Sequence, residues 1–187
     1  PLVHTGELKL LGQHNFENVM AASAMAYYAG VSVENIRKSI CAFTAVEHRI
    51  EYVMEKNGVA YYNDSKGTNP DAAIKGIQAM NRPTYLIGGG YDKGSEYDEW
   101  IEAFDGKVKE LVLIGVTAQK IADCARKHGF EHIVFADSLE DAVKECAARA
   151  GSGDAVLLSP ACASWDMFKS FEQRGELFKK YVRDLMA

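Results

Sequence analysis

Closely spaced cysteines are absent from this sequence, because Cys41, Cys124, Cys146 and Cys162 lie far apart and none belongs to a CxxC motif. The spacing therefore predicts neither a cysteine-based metal site nor a disulfide framework, and we expect reduced thiols. The sequence also lacks a secretory leader pattern and an apolar run long enough to span a bilayer. These absences favour a cytoplasmic protein without a membrane partner.

The sequence also has no excess of basic over acidic residues. The 187 residues include 21 Lys and Arg against 26 Asp and Glu, which gives a formal net charge of -5. Nucleic-acid binding depends on neutralising phosphates, so this balance argues against a nucleic-acid partner. Neither a GxxxxGK(S/T) phosphate loop nor a GxGxxG dinucleotide fingerprint occurs. The chain begins with proline rather than methionine, which we interpret as a sign that it is part of a longer protein.

Residues 1–45 follow a different pattern from the rest. The segment HTGELKLLG alternates like a strand, and the alanine-rich segment that follows it is typical of a helix ending near Gly30. A second short helix is predicted after Ser32, a candidate N-cap. One strand and two helices are too little to bury a core. We therefore predict that residues 1–45 are the incomplete tail of another domain.

The sequence pattern of residues 46–187 predicts an α/β domain. Asn57-Gly58 lies between two alternating segments, which indicates a β-hairpin. The apolar runs TYLIGGG, KELVLIG, HIVFAD and DAVLLSP then alternate with helical segments, the last of them a long helix beginning at Ser164. This order is typical of a Rossmann-like, doubly wound fold. We expect a mostly parallel sheet of about six strands with one antiparallel edge strand.

Ligands of such sheets bind beyond the carboxyl ends of the strands, and NDSKGTNPD (63–71) is one of these ends. Asn69 and Pro70 are typical of a capped helix start. Lys66 and the amides near Gly67 and Thr68 are equally consistent with a cradle for an anion. Both interpretations remain open at this point.

Two further strand ends are polar. GGGYDKG (88–94) permits close approach of the backbone, and its Lys93 is either a solvated side chain or a cation near a ligand. SPACASWD (159–166) is a run of small residues ahead of a predicted stripe of Trp165, Phe168 and Phe171. Cys162 has no evident histidine partner, so a nucleophilic role is not favoured.

Two pairs of residues outside these loops are also candidates for ligand binding. His48 and Arg49 lie at the junction of the two parts, where an arginine suits either a phosphate or a salt bridge. Asn15 and Asn18 lie three residues apart on one helical face. They suit the edge of a base, although asparagines at a helix start are more often caps.

The order of these motifs resembles the ATP-dependent Mur ligases of peptidoglycan synthesis, above all the branch that adds D-glutamate. The resemblance rests on GQHNxxN, HR, NDSKxTN, the glycine-rich loop with lysine, and SPACASxDxFxxFExRG, and it covers essentially the whole chain. It implies that residues 46–187 are the carboxyl-terminal domain, and that a UDP-sugar domain and a central P-loop domain lie elsewhere in the polypeptide. Gly67, where alanine is usual, and Trp165, where leucine or phenylalanine is common, depart from the family pattern.

The resemblance also implies roles for individual residues. ATP would be bound by Asn15, Asn18, Arg49, Asp64 and Lys66, with His48, Arg49 and Lys66 as catalytic residues. D-glutamate would be bound by Thr68, Lys93, Ser164, Trp165 and Phe171. No metal ligand is implied in this chain, because those of the Mg²⁺ that accompanies ATP would lie mostly in the central domain.

The implied partners are D-glutamate, ATP, UDP-N-acetylmuramoyl-L-alanine and the missing amino-terminal and central domains. Without those domains the chain is expected to be inactive. Two alternatives stay open: a related ligase that adds another amino acid, and a non-catalytic α/β ligand-binding module.

Overall fold

The computed structural model describes residues 2–185, which form two compact units, one up to Val46 and one from Glu47 onward. The first unit contains a 3-10 turn, Thr5–Glu7, and helices α1, Gln13–Tyr28, and α2, Val33–Ala42. Gly30 adopts a φ of 87° just after α1, and Ser32 accepts a hydrogen bond from the Asn35 amide, so both predicted helix signals are confirmed.

The strand predicted in HTGELKLLG is wrong. The segment forms the single 3-10 turn instead, and the His4 amide donates to the Glu7 carboxylate at 2.9 Å. A strand needs a neighbour to satisfy its backbone groups, and the described part of the first unit contains no other strand.

The second unit is built on a six-stranded sheet. Its strands are β1 (Glu51–Lys56), β2 (Val59–Asn63), β3 (Thr84–Gly88), β4 (Val108–Leu113), β5 (Ile133–Phe135) and β6 (Ala155–Leu158). The spatial order is β1-β2-β6-β3-β4-β5, in which only the edge pair β1-β2 is antiparallel. The predicted fold class, including the antiparallel edge strand, is confirmed.

Local signals place the hairpin and the helices. Asn57 and Gly58 have φ of 53° and 78°, as a two-residue hairpin turn requires. The helices of this unit are α3 (Pro70–Ala79), α4 (Asp98–Glu102), α5 (Ala118–Lys127), α6 (Leu139–Arg149) and α7 (Phe171–Asp184). The predicted cap of α3 is confirmed, because Asn69 Oδ1 accepts from the Ala72 amide at 2.9 Å.

Both faces of the sheet are covered. One apolar cluster joins Tyr61, Ile87 and Val156 to residues of α6 and α7. Leu86 and Leu157, which point to the opposite face because side chains alternate along a strand, are equally buried. Among residues 2–185, no helix combines the length and the apolar character needed to cross a membrane.

The closing helix begins later than predicted. It starts at Phe171 with Ser170 as its N-cap, whereas Ser164 begins a separate turn in which its carbonyl oxygen accepts from the Phe168 amide at 2.8 Å. The predicted stripe is therefore broken: Phe168 packs against the core, but Trp165 is 65% exposed. A contact from outside the segment holds the turn, because Asp166 Oδ2 accepts from the Val116 amide at 3.1 Å.

Candidate functional site

Three polar loops meet at one edge of the sheet in the second unit. They follow β2, β6 and β3, which are neighbouring parallel strands, so their carboxyl ends lie side by side. We call residues 64–69 the first loop, residues 89–94 the glycine loop and residues 159–170 the third loop. Parallel sheets of this kind bind ligands beyond the carboxyl ends of their strands.

Hydrogen bonds between backbone groups hold the first loop in place. The amide of Gly67 donates to Asp64 O and that of Thr68 donates to Lys66 O, both at 2.8 Å, while the Lys66 amide donates to His48 O at 3.0 Å. The expectation that the Gly67 and Thr68 amides are free for an anion is therefore wrong. The loop instead offers the Lys66 ammonium and the partly buried Thr68 side chain.

The Lys66 ammonium lies over an aromatic ring. Its Nζ is 3.8 Å from the centroid of Phe171, the first residue of α7, and Ser65 Oγ donates to Phe171 O at 2.8 Å. A cation on a ring face is stabilised by the ring quadrupole, by about 0.5–1 kcal/mol at exposed sites. The first loop and the start of α7 therefore hold a positive charge in a defined position.

Asp64 is buried beneath the first loop. Its Oδ2 accepts from Ser159 Oγ at 2.7 Å and its Oδ1 accepts from the Ile50 amide at 3.3 Å. Burial raises the pKa of the Asp64 carboxyl to about 7, although these two hydrogen bonds and the charge of Arg49 oppose the shift. Because both oxygens already have protein partners, Asp64 joins the first and third loops. Its predicted contact with ribose stays a prediction.

We expect Asp64→Asn to change how the stability of the second unit depends on pH. The folded carboxyl has a raised pKa, so it stabilises the fold below the unfolded pKa, near 4, and this contribution is lost as pH rises through about 7. An uncharged amide avoids that loss. Denaturant unfolding at pH 5 and pH 8 should show the variant gaining about 2–3 kcal/mol relative to the parent between these two pH values, because part of the total of about 4 kcal/mol is already lost by pH 5.

A matched control for this variant is Asp71→Asn, which changes an exposed acid in the first turn of α3. It should leave the pH profile of unfolding close to that of the parent. A parent whose stability does not fall between pH 5 and pH 8 would contradict the assignment to Asp64.

His48 and Arg49 adjoin the first loop. His48 is buried with a φ of 63°, and its Nδ1 lies 2.9 Å from the side-chain amide nitrogen of Asn63. Because an amide nitrogen donates, Nδ1 accepts, and the proton of the neutral ring lies on Nε2. The imidazole also packs edge-on against Phe171, with 5.9 Å between ring centroids.

Arg49 is exposed and forms no hydrogen bond or ion pair with the described residues. Its neighbours His48 and Ile50 both have positive φ, 63° and 48°. Non-glycine residues in this region are strained and cluster at functional sites. The backbone thus holds Arg49 outward at the same edge as Lys66.

The glycine loop is fixed by contacts within the protein. The Gly89 amide donates to Pro160 O at 2.8 Å, the Gly90 amide to Thr117 Oγ1 at 3.0 Å and the Tyr91 amide to Ala163 O at 2.9 Å. These amides therefore have partners already. Lys93, which follows them, is exposed and has no ion-pair partner among the described residues.

The third loop brings two more candidate residues to this edge. Ser164 is 2% exposed, whereas Trp165 projects outward and its ring lies 5.5 Å from that of Tyr91. Tyr91 belongs to the glycine loop, so the two loops share an aromatic contact as well as the Tyr91–Ala163 backbone bridge. Trp165 and Tyr91 form an apolar wall next to Ser164.

Arg174 joins the first and third loops and was not identified from the sequence. It is 1% exposed, and its guanidinium donates to Ser65 Oγ at 3.0 Å, Ser65 O at 2.9 Å and Cys162 O at 3.1 Å. Burial lowers the pKa of Arg174 to about 10. The one available signal was the arginine in the final FExRG motif.

The structure brings together the predicted residues of the second unit in two groups. Lys66 and His48 both contact Phe171; Arg49 follows His48 in the chain, and Thr68 is two residues after Lys66. Ser164, Trp165 and Lys93 lie on the third loop and the glycine loop. Asn15 and Asn18 belong to α1 of the first unit, where the Asn15 side-chain amide donates to Leu11 O at 2.8 Å and Asn18 is exposed.

Comparison with known proteins agrees with this architecture. A family model described as "Mur ligase, glutamate ligase domain" matches residues 48–162. The UDP-N-acetylmuramoylalanine–D-glutamate ligase of Lachnospira eligens is 60% identical over 184 residues, 98% of this chain and 41% of the relative. The protein of the same name from Clostridioides difficile is 51% identical over 96% of this chain and 40% of the relative. The chain spans about two fifths of the length of these curated relatives.

Solved structures share the fold at lower identity. The UDP-N-acetylmuramate-alanine ligase of Thermotoga maritima has a TM-score of 0.71 at 17% identity. The alignment covers 95% of this chain and 40% of the Thermotoga chain. The folylpolyglutamate synthase of the same organism has a TM-score of 0.59 at 20% identity. This alignment covers 95% of this chain and 39% of the synthase chain. The family model covers more than half of the chain, and the relatives align with nearly all of it: the chain belongs to the Mur ligase family.

Proposed function

We propose that this chain is the carboxyl-terminal part of an ATP-dependent ligase that adds D-glutamate to UDP-N-acetylmuramoyl-L-alanine in peptidoglycan synthesis, in the cytoplasm. Relatives between 48% and 60% identical, over 96–98% of the chain, all carry the name of that ligase. In this proposal residues 1–45 are the tail of the central ATP-binding domain, and residues 46–187 form the carboxyl-terminal domain.

The chemistry joins a carboxylate to an amine. The carboxylate of the sugar-linked alanine attacks the γ-phosphorus of ATP, which releases ADP and forms an acyl phosphate. The amine of D-glutamate then attacks the acyl carbon, and phosphate leaves. Both steps gather negative charge around the reacting atoms, so fixed cations lower their barriers.

The observation that carries this proposal is the fixed position of Lys66 on Phe171 at the strand ends, where the Lys66 amide bonds to the carbonyl of His48, the residue before the exposed Arg49. Lys66 and Arg49 are suited to phosphate oxygens, the first as a point charge and the second as a bidentate donor. His48 contributes its carbonyl oxygen to the Lys66 amide, so it positions the lysine. A Mur ligase of the same fold from Thermotoga maritima was solved with ADP, which supports a nucleotide here.

Magnesium is part of the proposal only through ATP, because Mg²⁺ is usually bound by one or two carboxylates together with substrate phosphates. Asp64, the carboxylate under the first loop, already accepts from Ser159 and Ile50. The Mg²⁺ ligands therefore fit better in the central domain. Asp64 remains a candidate for ribose, with Asn15 and Asn18 as candidates for the adenine side.

D-glutamate would bind between the three loops. We assign its two carboxylates to Thr68, Lys93 and Ser164, with Phe171 and Trp165 as the apolar walls. The partly buried Thr68 and the exposed Lys93 provide a hydroxyl and a cation, which are the groups that carboxylates accept from. The Tyr91–Trp165 contact would close one side of this subsite.

An amide NMR titration tests the amino-acid subsite. D-glutamate should shift the resonances of Thr68, Lys93 and Ser164, whereas L-glutamate should not, because the three loops present donors of fixed handedness. Lys93→Ala should abolish the shifts, and the control Lys75→Ala, at an exposed lysine on α3, should retain them. Equal shifts with both isomers would contradict the assignment.

Activity is expected only in the full-length ligase. The chain alone, supplied with the UDP-sugar-alanine, D-glutamate and Mg-ATP, should release no phosphate above background, and turnover would overturn this part of the proposal. In the full-length enzyme Lys93→Ala should raise the KM for D-glutamate far more than the KM for ATP. If the full-length enzyme preferred another amino acid to D-glutamate, the result would favour a related ligase. If the full-length protein had no ligase activity at all, the result would favour a non-catalytic module.

A further inference from the structure

A second group of polar side chains lies away from the strand-end site, between α4 and α5. Cys124 and His128 are four residues apart at the end of α5, so they lie on one face of the helix. Asp98, the first residue of α4, faces them. One ligand atom from each of these three residues lies within 4.8 Å of the other two.

The imidazole of His128 is oriented from both sides. Its Nε2 lies 2.8 Å from Asp98 Oδ1, and its Nδ1 lies 3.6 Å from Glu102 Oε1. Metal-bound histidines usually have their second ring nitrogen directed at a carboxylate, which fixes the ring and raises its basicity. Glu102 is placed to accept from Nδ1 in that way. Nε2 is then the nitrogen that can bind a metal ion together with Asp98.

We propose that Cys124 Sγ, His128 Nε2 and Asp98 Oδ1 form a binding site for a divalent transition-metal ion of the zinc type. A thiolate, an imidazole and a carboxylate are the ligand types that Zn²⁺ accepts, and sulfur disfavours Mg²⁺ and Ca²⁺. Tetrahedral Zn²⁺ needs ligand atoms about 3.3–3.8 Å apart, so side-chain adjustments of about 1 Å complete the set. Solvent provides the fourth ligand.

Three changes accompany binding. His128 Nε2 donates to Asp98 Oδ1, because a carboxylate oxygen only accepts, so Nε2 must give up this proton, and the neutral ring that binds the metal carries its proton on Nδ1, facing Glu102. The Cys124 thiol loses its proton to the buffer as the sulfur binds the metal. Lys127, whose Nζ is 3.0 Å from Asp98 Oδ1, must leave this carboxylate, and its side chain is 73% exposed and can turn to solvent.

A second cluster with metal-binding residue types is less suitable. Glu47, His48 and Glu176 also lie within 4.8 Å of one another. Lys179 is almost fully buried among these acids, with its Nζ 2.6 Å from Glu47 and 2.8 Å from Glu176. A fixed ammonium already occupies the space between these acids and partly neutralises them, and the cluster contains no sulfur. The metal site at Cys124 is also independent of the ligase proposal.

Cobalt titration tests the site, because Co²⁺ replaces Zn²⁺ and reports a bound thiolate by a sulfur-to-metal charge-transfer band. Co²⁺ added to the reduced protein should produce this band, and Zn²⁺ should then remove it. Cys124→Ser should abolish the band, whereas Cys41→Ser, at the other partly exposed cysteine, should retain it. Absence of the band, or a band that survives Cys124→Ser, would overturn the proposal.

Calorimetric Zn²⁺ titration of three further variants identifies the other ligands. His128→Asn should weaken Zn²⁺ binding strongly, and Glu102→Gln by about 10-fold, the lower end of the usual effect of an outer carboxylate. Lys127→Ala should tighten binding several-fold, because it removes the cation that competes for Asp98. Unchanged affinity in His128→Asn would overturn the site even if the thiol binds metal, and weaker binding in Lys127→Ala would exclude Asp98 as a ligand.

Discussion

Gly89→Ala should unfold the second unit at far lower denaturant concentration than the parent protein. Gly89 has a φ of 98°, and a Cβ placed there would overlap the carbonyl oxygen of Ile114. That oxygen is part of the backbone, and Ile114 is held by the bond from its amide to Gly88 O at 3.0 Å. Relief would require β3 and β4 to separate at their carboxyl ends. We expect a loss of about 4 kcal/mol or more in the free energy of unfolding, measured by urea titration.

Gly94→Ala is the matched control for this prediction. Gly94 also has a positive φ, 75°, but a Cβ there would meet nothing within 4 Å. Its cost should therefore be the backbone strain alone, about 1–2 kcal/mol. Similar losses in the two variants would show that the left-handed backbone, rather than the close approach of β4, makes glycine necessary at position 89.

Where the structure follows from neighbours in sequence, the sequence predicts it well. The Asn57-Gly58 hairpin, the cap of α3 at Asn69 and the alternation of apolar runs with helices are local signals, and each is confirmed. The parallel order then places three polar loops at one edge without further information. The fold and the location of the candidate site were therefore predictable.

Features that depend on distant contacts were not predictable. Ser164 has the local signature of a helix cap, but Asp166 bonds to the Val116 amide and the helix starts at Phe171 instead. The three glycines correctly indicated a close approach. The partners are the Trp100 ring for Gly88 and the backbones of Ile114 and Ala163 for Gly89 and Gly90, and sequence alone does not distinguish these from a ligand.

Arg174→Met should both destabilise the second unit and release the first loop from the third. The parent guanidinium satisfies two buried backbone carbonyls, of Ser65 and Cys162, and the Ser65 hydroxyl. Methionine fills a similar volume but leaves these acceptors without donors, at about 1–3 kcal/mol for each buried group. Removing the desolvated charge offsets part of that cost. We expect a net loss of about 3–5 kcal/mol in the free energy of unfolding, again measured by urea titration.

The matched control is Arg183→Met, an exposed arginine in the last turn of the same helix, which should change stability by no more than about 0.5 kcal/mol. Arg174→Lys discriminates further, because an ammonium retains the charge but cannot reach three acceptors from one planar group. It should fall between the parent and Arg174→Met. A lysine variant as stable as the parent would show that charge alone is required. A methionine variant as stable as the parent would show that solvent satisfies the Ser65 and Cys162 carbonyls, and that the loops are joined by Asp64 and Ser159 alone.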